Sequence, residues 1–366
     1  MRIAITGSRG IPNNYGGFEQ CAEHLAVLLV RAGHEVTVYN PDYHDYTSDT
    51  YQGVRIVKIW NPEKKIGTAG NFIYDLKCMQ HALQEKTDIL LVLGYTTASI
   101  FFPFLRTGNT ALVTNMDGLE WKRDKWNAIV KKLAKWFESL GARYGGHLVS
   151  DNREIRNYLL QEYGKDSSFI AYGAELFDDP DARVLNHYGV QERDYDLLIA
   201  RLEKENNIET ILDGIAQSGV QKPFLVIGKH QTPYGEFLKS KYSRYPGIRF
   251  MGGIYNLQHL NNLRWYARYY FHGHSVGGTN PSLLEAMASG AFIFSHDNLF
   301  NRDVLGPHAF YFDSPVAIAT LLSQPAQLEE KRSLFTTALR ESIQRHYNWQ
   351  CIADAYEALF IAVKKA

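Results

Sequence analysis

At 366 residues the chain exceeds what a single hydrophobic core usually supports, so two domains of ordinary size are expected, and a hydrophobic content of 45% is enough for a core in each. The 39 Lys and Arg balance 39 Asp and Glu, which removes any global electrostatic case for a nucleic-acid partner and leaves attraction to phosphate or membrane to local patches. Three widely separated cysteines, Cys21, Cys78 and Cys351, argue for reduced thiols in a cytoplasmic setting, and no apolar run approaches the length of a membrane span.

The chain opens with Met1-Arg-Ile-Ala-Ile-Thr6, which reads directly as a strand and lacks the apolar run and cleavage site of a secretory signal. Short β-branched or aliphatic runs then recur at 2–6, 35–39, 54–58, 88–93, 110–114 and 146–149, with helical stretches between them. A second series follows at 196–200, 223–227, 248–251, 268–272 and 291–294. Such alternation predicts an α/β fold of two doubly wound, mostly parallel sheets. The polar, aperiodic stretch from Leu176 to Asp194 reads as the linker, giving domains over 1–175 and 176–347 and a C-terminal helix over 348–366 that packs back on the first. Ligands of open α/β sheets bind beyond the carboxyl ends of the strands, so the residues there are the candidates for function.

After the first strand comes Gly7-Ser-Arg-Gly10-Ile-Pro-Asn-Asn-Tyr-Gly16-Gly17, a glycine-rich loop of the kind that brings backbone N–H groups to a diphosphate. The dinucleotide fingerprint is absent: the glycine spacing is wrong, and the second strand ends in Tyr39-Asn40 where a ribose-binding acid would stand. A nicotinamide oxidoreductase is disfavoured. Asp117 follows the fifth strand and Asp151 the sixth, positions suited to handling the proton of a reacting hydroxyl. Asp117 before Gly118 also fits an ordinary turn, and Asp151 a helix N-cap. From Lys122 to Leu140, apolar and aromatic residues recur at three-to-four spacing while Lys125, Lys131, Lys132 and Lys135 crowd the other face. This helix suits either the core or peripheral contact with an anionic membrane surface.

In the second series, Arg201 closes the first strand and reads as a diphosphate clamp or as a surface partner of Glu203 or Glu205. Asp194-Tyr-Asp196 copies a metal-holding pattern but precedes its strand, so it reads as a solvated turn; metal is expected at neither this site nor any His/Cys cluster. The most informative stretch is His274-Ser-Val-Gly-Gly-Thr-Asn-Pro281-Ser-Leu-Leu-Glu285-Ala-Met-Ala-Ser-Gly290. Pro281 suits the first position of a helix whose N–H groups and positive dipole end face an anion, and the glycines before it permit close approach. A plain tight turn explains the glycines equally. Glu285, one turn on, is within reach of a sugar hydroxyl beyond that anion, and the pairing points to a nucleotide sugar.

Taken in order, Gly16-Gly17, Arg201, Gly252-Gly253-Ile254 and Thr279 to Gly290 resemble the bacterial family 4 glycosyltransferases across nearly the whole chain. Asp117-Gly-Leu-Glu-Trp-Lys-Arg123, Arg201-Leu-Glu and Gly-Gly-Thr-Asn-Pro-Ser-Leu-Leu-Glu-Ala are similar to the rhamnosyltransferase-like subgroup of cell-surface polysaccharide assembly. The resemblance implies a GT-B fold, two facing Rossmann-like domains with a cleft between them, and a hexosyltransferase that uses a nucleotide sugar donor as substrate and no cofactor. It implies donor contacts from Gly16, Gly17, Arg201, Asn206, Lys229, Gly253, Ile254, Tyr255, Gly278, Thr279, Asn280 and Glu285, with Glu285 on the ribose. Asp117 and Asp151 become the candidate catalytic residues, and Glu120, Trp121 and Arg123 the acceptor contacts. Metal-independent transfer with retention is implied, onto a saccharide acceptor that is free or lipid-linked, at the cytoplasmic face of the membrane. Three departures matter: Gly277 stands where the family has a sugar-binding Glu, Asn206 where it has a Lys, and Met116-Asp117 where it has a His. They point from glucose towards a 6-deoxy donor such as dTDP-rhamnose. They also keep open a noncatalytic nucleotide-sugar-binding protein.

Overall fold

Apolar runs of three to seven residues are too short for stable helices, and in this chain they become the strands of two sheets. The computed structural model describes every residue except Tyr15, Asp124, Lys125 and Ala366. In the first sheet the strands are Arg2–Thr6 (β1), Glu35–Pro41 (β2), Thr50–Tyr51 (β3), Val54–Ile59 (β4), Ile89–Val92 (β5), Ala111–Asn115 (β6), His147–Ser150 (β7) and Ser168–Phe169 (β8). Their order is β3-β4-β2-β1-β5-β6-β7-β8, parallel throughout except where β3 returns antiparallel on β4. Ile89 to Val92 are all buried, as expected of a parallel strand covered by helices, where no face is left for solvent. Helix Gly70–Gln84 lays Tyr74, Cys78, Met79 and Ala82 against Ala4, Leu90 and Val92 to form a core.

This first unit comprises Met1–Lys122, Trp126–Tyr172 and the C-terminal helix Trp349–Lys365. That helix is fixed by Trp349, stacked on His24 at 4.5 Å, by Glu357 at 2.9 Å from His34, and by Lys364 at 3.0 Å from Asp88.

The second unit comprises Gly173–Asn348 together with Arg123. Its strands are Asp196–Ile199 (β9), Phe224–Ile227 (β10), Ile248–Gly252 (β11), Tyr269–His272 (β12), Ile293–His296 (β13) and Phe310–Phe312 (β14), all parallel in the order β11-β10-β9-β12-β13-β14. Phe224, Phe271, Phe292, Phe294 and Phe312 fill its core. Helices Ile208–Ser218 and Pro315–Leu322 meet at Gly214, where a β-carbon would stand 2.7 Å from that of Ile318.

Two expectations need correction. Asp196 is not in a solvated turn: it opens β9, is buried, and pairs with Arg268 at 2.5 Å, because β9 is an interior strand and Asp196 is already in register with Phe224 of β10 and Tyr269 of β12. Only Asp194 faces water, bound to Lys222. In helix Ala128–Tyr144 the buried positions are Ala134, Glu138, Gly141 and Ala142, while Ile129, Leu133 and Trp136 are exposed. Lys135 is not on an open basic face: it lies 3.1 Å from buried Glu138, which also accepts from Tyr163 at 2.7 Å and from Trp121 at 3.0 Å. Lys125 lies outside the described residues.

Candidate functional site

Strand order in the second sheet reverses between β9 and β12, so the loops after these two neighbours diverge and leave a crevice at their carboxyl ends. The first loop carries Arg201 and Asn206, the second the glycine turn. They are joined by hydrogen bonds from Ser275 N and Oγ to Glu205 O at 3.0 and 2.9 Å, from Asn207 Nδ2 to Gly273 O at 2.8 Å, and from His274 Nδ1 to Asn206 Oδ1 at 2.9 Å. Asn206 also donates from Nδ2 to Arg201 O at 2.7 Å, which fixes its amide orientation and makes His274 Nδ1 the donor. One end of the Asn206 amide thus serves its own loop and the other ties it to the glycine-turn loop.

Arg201 is exposed and, among the described residues, makes no ion pair. The acids beside it face Arg123 instead, at 3.9 Å from Glu203 and 4.0 Å from Glu205. Burial, and then the neighbouring Glu203, raises the pKa of Glu205. Burial likewise pushes His274 down to about 4, with Arg123 and Arg201 adding to the effect, and His272 down to about 3. Neutral imidazoles therefore line a locus whose open charge is Arg201.

Helix Pro281–Ala288 begins where Pro281 predicts, with Asn280 as N-cap. Its first N–H groups, however, are already used. Ser282 N bonds Asn280 Oδ1 at 2.9 Å, and Leu283 N and Leu284 N bond Asn280 O at 3.0 and 3.2 Å. The expectation that the helix's own N–H groups meet the anion is corrected on this point: capping by Asn280 consumes them. The turn before the helix offers donors in their place. Among the described residues, the N–H groups of Gly277, Gly278 and Asn280 have no acceptor, and Gly277 takes a positive φ of 84° that a side chain would oppose. Thr279 is buried beside them. Glu285 lies one turn on, its Oε2 accepting from Arg264 Nη2 at 2.6 Å. At the ends of β10 and β11, Lys229 and Gly253 are exposed, Ile254 is half-buried and Tyr255 is 85% exposed.

The first sheet reverses between β1 and β5. Gly7, at φ 79°, meets Gly94 there so closely that a β-carbon would stand 2.4 Å from Gly94 N. The glycine loop spends its N–H groups internally: Arg9 N on Glu19 at 2.6 Å, Ile11 N on Asn40 at 3.0 Å and Asn13 N on Glu23 at 2.6 Å. What the loop retains is Gly16 and Gly17 at the start of helix Gly17–Arg31, where Gly16 caps without a side chain.

Asp117, two residues beyond β6, is half-buried and accepts from the Tyr172 hydroxyl at 2.6 Å; Asn115 Nδ2 stands 3.4 Å from the same hydroxyl. Asp151 directly follows β7 and is 1% exposed. The N-cap of the following helix is Asn152, which accepts from Glu154 N at 2.9 Å, so Asp151 is released from that role. Burial pushes the Cys21 thiol up to about 12, and the charges of Asp117 and Asp151 both add to it. Burial, with Asp117 next, keeps Tyr172 protonated and therefore a donor. Among the proposed acceptor contacts, Trp121 is tied back to Glu138, Glu120 lies 3.5 Å from Trp126 Nε1, and Arg123 faces the Glu203 and Glu205 acids. Among the described residues no three His, Cys, Asp or Glu side chains gather as metal ligands would.

Sequence reasoning missed Arg264, Tyr172 and Asn115, which lie outside any motif. The only local signal was an arginine at a buried spacing in helix Leu257–Tyr266.

The arrangement is the fold of the GT-B glycosyltransferases. The chain is similar to sucrose-phosphate synthase from Thermosynechococcus elongatus, with a TM-score of 0.80, 16% identity and 99% of each chain covered. It is similar also to Anabaena HepE in complex with UDP and glucose, with a TM-score of 0.77, 15% identity, and 99% of this chain and 100% of that one covered. A glycosyltransferase from Rickettsia africae gives a TM-score of 0.72 at 11% identity, covering 100% and 98%. In sequence, residues 1–175 match a domain of unknown function, DUF1972. No curated protein matches the chain.

Proposed function

We propose that this protein transfers a sugar from a nucleoside-diphosphate donor to a saccharide acceptor. The observation that carries the reading is the crevice between β9 and β12, where Arg201, without an ion pair among the described residues, and the N–H groups of Gly277, Gly278 and Asn280, without an acceptor among the described residues, lie on two hydrogen-bonded loops. A guanidinium and converging N–H groups stabilise a leaving diphosphate electrostatically, with no metal required. Glu285 then takes the 3′-hydroxyl of the nucleoside sugar, while Gly253, Ile254 and Tyr255 flank the base. HepE, of similar fold, has been seen with UDP and glucose, which supports a nucleotide sugar as the donor class.

The donor we favour is dTDP-rhamnose. Gly277 removes the acid that would grip sugar hydroxyls, and the Asn206 side chain, spent on Arg201 O and His274, adds no charge. Asp117 is the group that receives or orients the acceptor proton, and transfer proceeds with retention. The acceptor is lipid-linked, a reading supported by the exposed Ile129, Leu133, Trp136 and Phe104 beside Lys131 and Lys132.

The test is incubation with dTDP-rhamnose, UDP-glucose and other nucleotide sugars and a polyprenyl-diphosphate saccharide, with and without EDTA. Transfer that survives EDTA is expected, together with a roughly tenfold or greater loss of nucleoside-diphosphate affinity in Arg201→Ala. Absence of transfer from every donor defeats the proposal. Binding without transfer favours the noncatalytic reading, for which Gly277 and Asn206 are the motivating departures.

A further inference from the structure

Arg264 is 1% exposed, among the largest fully buried side chains of the described residues, and sits in helix Leu257–Tyr266 against helix Pro281–Ala288. Its Nη2 donates to Glu285 Oε2 at 2.6 Å and to Ser282 Oγ at 3.2 Å, and its Nη1 to Asn261 Oδ1 at 2.9 Å. The Ser282 hydroxyl is in turn 3.2 Å from that of Tyr270, and Asn261 Oδ1 accepts from Ser289 Oγ at 3.3 Å. The guanidinium is thus fixed on two sides by a small polar network. Its carboxylate partner is not enclosed to the same degree: the Glu285 side chain keeps 20% of its exposure against 1% for Arg264.

This asymmetry needs a reason. Burying a guanidinium is costly, and apolar residues of similar volume generally hold two helices together as well or better. What a planar fork supplies and an apolar contact cannot is a direction for the carboxylate it binds. We propose that Arg264 is a positioning residue that holds Glu285 in the orientation that accepts the 3′-hydroxyl of the donor's ribose or deoxyribose, so that selectivity for that hydroxyl is set by a side chain that never touches the nucleotide. The inference rests on the reading of Glu285 as the ligand of that hydroxyl. Pinning one carboxylate oxygen through a buried partner removes the rotamer freedom that Glu285 would otherwise lose on each binding event.

The experiment is calorimetric titration of the full-length protein with UDP and dTDP, each compared with its counterpart lacking the 3′-hydroxyl. Wild-type protein should bind the hydroxyl-bearing form of its preferred nucleotide roughly tenfold or more tightly. Arg264→Met should bring the ratio close to one while leaving affinity for the 3′-deoxy form within about threefold, and adding Arg264→Met to Glu285→Gln should change the ratio no further. An unchanged ratio in Arg264→Met, or an equal loss for both forms, overturns the proposal and leaves the donor site standing. Wild-type protein that binds neither nucleotide removes the site and the proposal with it. Should Arg264→Met fail to fold, Arg264→Lys, which keeps the charge but not the fork, is measured in the same way and must also lose the ratio.

Discussion

One oxygen of Asp117 is held by the buried Tyr172 hydroxyl at 2.6 Å, and that single bond gives a loop residue before glycine a defined orientation. A carboxylate so held has little freedom to rotate away from a proton it is to receive, which is the requirement general-base chemistry places on geometry before pKa. We expect Asp117→Asn to lower turnover by roughly a hundredfold with nucleotide affinity unchanged, since proton transfer contributes about that much or more. Tyr172→Phe should fall between this variant and wild type. Steady-state kinetics beside calorimetry decides the matter, and near-normal turnover in Asp117→Asn removes the residue from the mechanism. Asp117 and Asp151 were legible because both follow predicted strands. Tyr172 was not, because its partner lies 55 residues away. The same holds for Arg264, which is 21 residues from Glu285.

Among the elements, helix Ala128–Tyr144 is amphipathic in sequence yet does not bury its large apolar residues. Its buried face is small and polar, with Glu138 satisfied by Trp121, Lys135 and Tyr163, so the larger apolar residues are left outside. Ile129 is 72% exposed and Trp136 48%, with Lys131 and Lys132 on the same helix, and the neighbouring segment Ser99–Phe104 adds Phe104 at 82%. Apolar side chains and lysines presented together suit the interface of an anionic bilayer. Co-sedimentation with phosphatidylglycerol vesicles should therefore be detected and should fall roughly tenfold or more when Lys131 and Lys132 become Glu, each basic residue near the surface being worth about 1 kcal/mol. Equal binding of wild type and the double variant would argue that this face has another use. The three-to-four spacing was visible in the sequence; the side turned inward was not, because it depends on Tyr163 and Trp121 arriving from other segments.

For the whole molecule, the buried histidines link stability to pH. Folding lowers His272 to about 3 and His274 to about 4, chiefly through burial. An unfolded histidine takes up its proton near pH of about 6.5, so their contribution is complete above that value and is lost as the pH falls towards 4. Asp75 acts in the opposite sense: burial raises it to about 7, so its contribution declines as the pH climbs to that value. Burial also lowers His44 and His296 and raises Asp196 and Glu205, so the test is a difference: between pH 7 and pH 5 His272→Gln should lose less urea midpoint than wild type. An identical slope in the variant would mean that His272 does not carry the linkage.

What the sequence determined by itself was the alternation of strands and helices, the strand ends where chemistry belongs, and the turn that opens the helix at Pro281, for all of these follow from periodicity and turn chemistry within a few residues. Tertiary structure alone decided that Glu19, Glu23 and Asn40 occupy the donors of the first glycine loop and that Glu285 is held from behind by a buried arginine, whereas the use of the first helical N–H groups by Asn280 is local capping. Hydrogen-bond donors are spent wherever acceptors happen to be within about 3 Å, and that distance is fixed by the packing of segments that are remote along the chain.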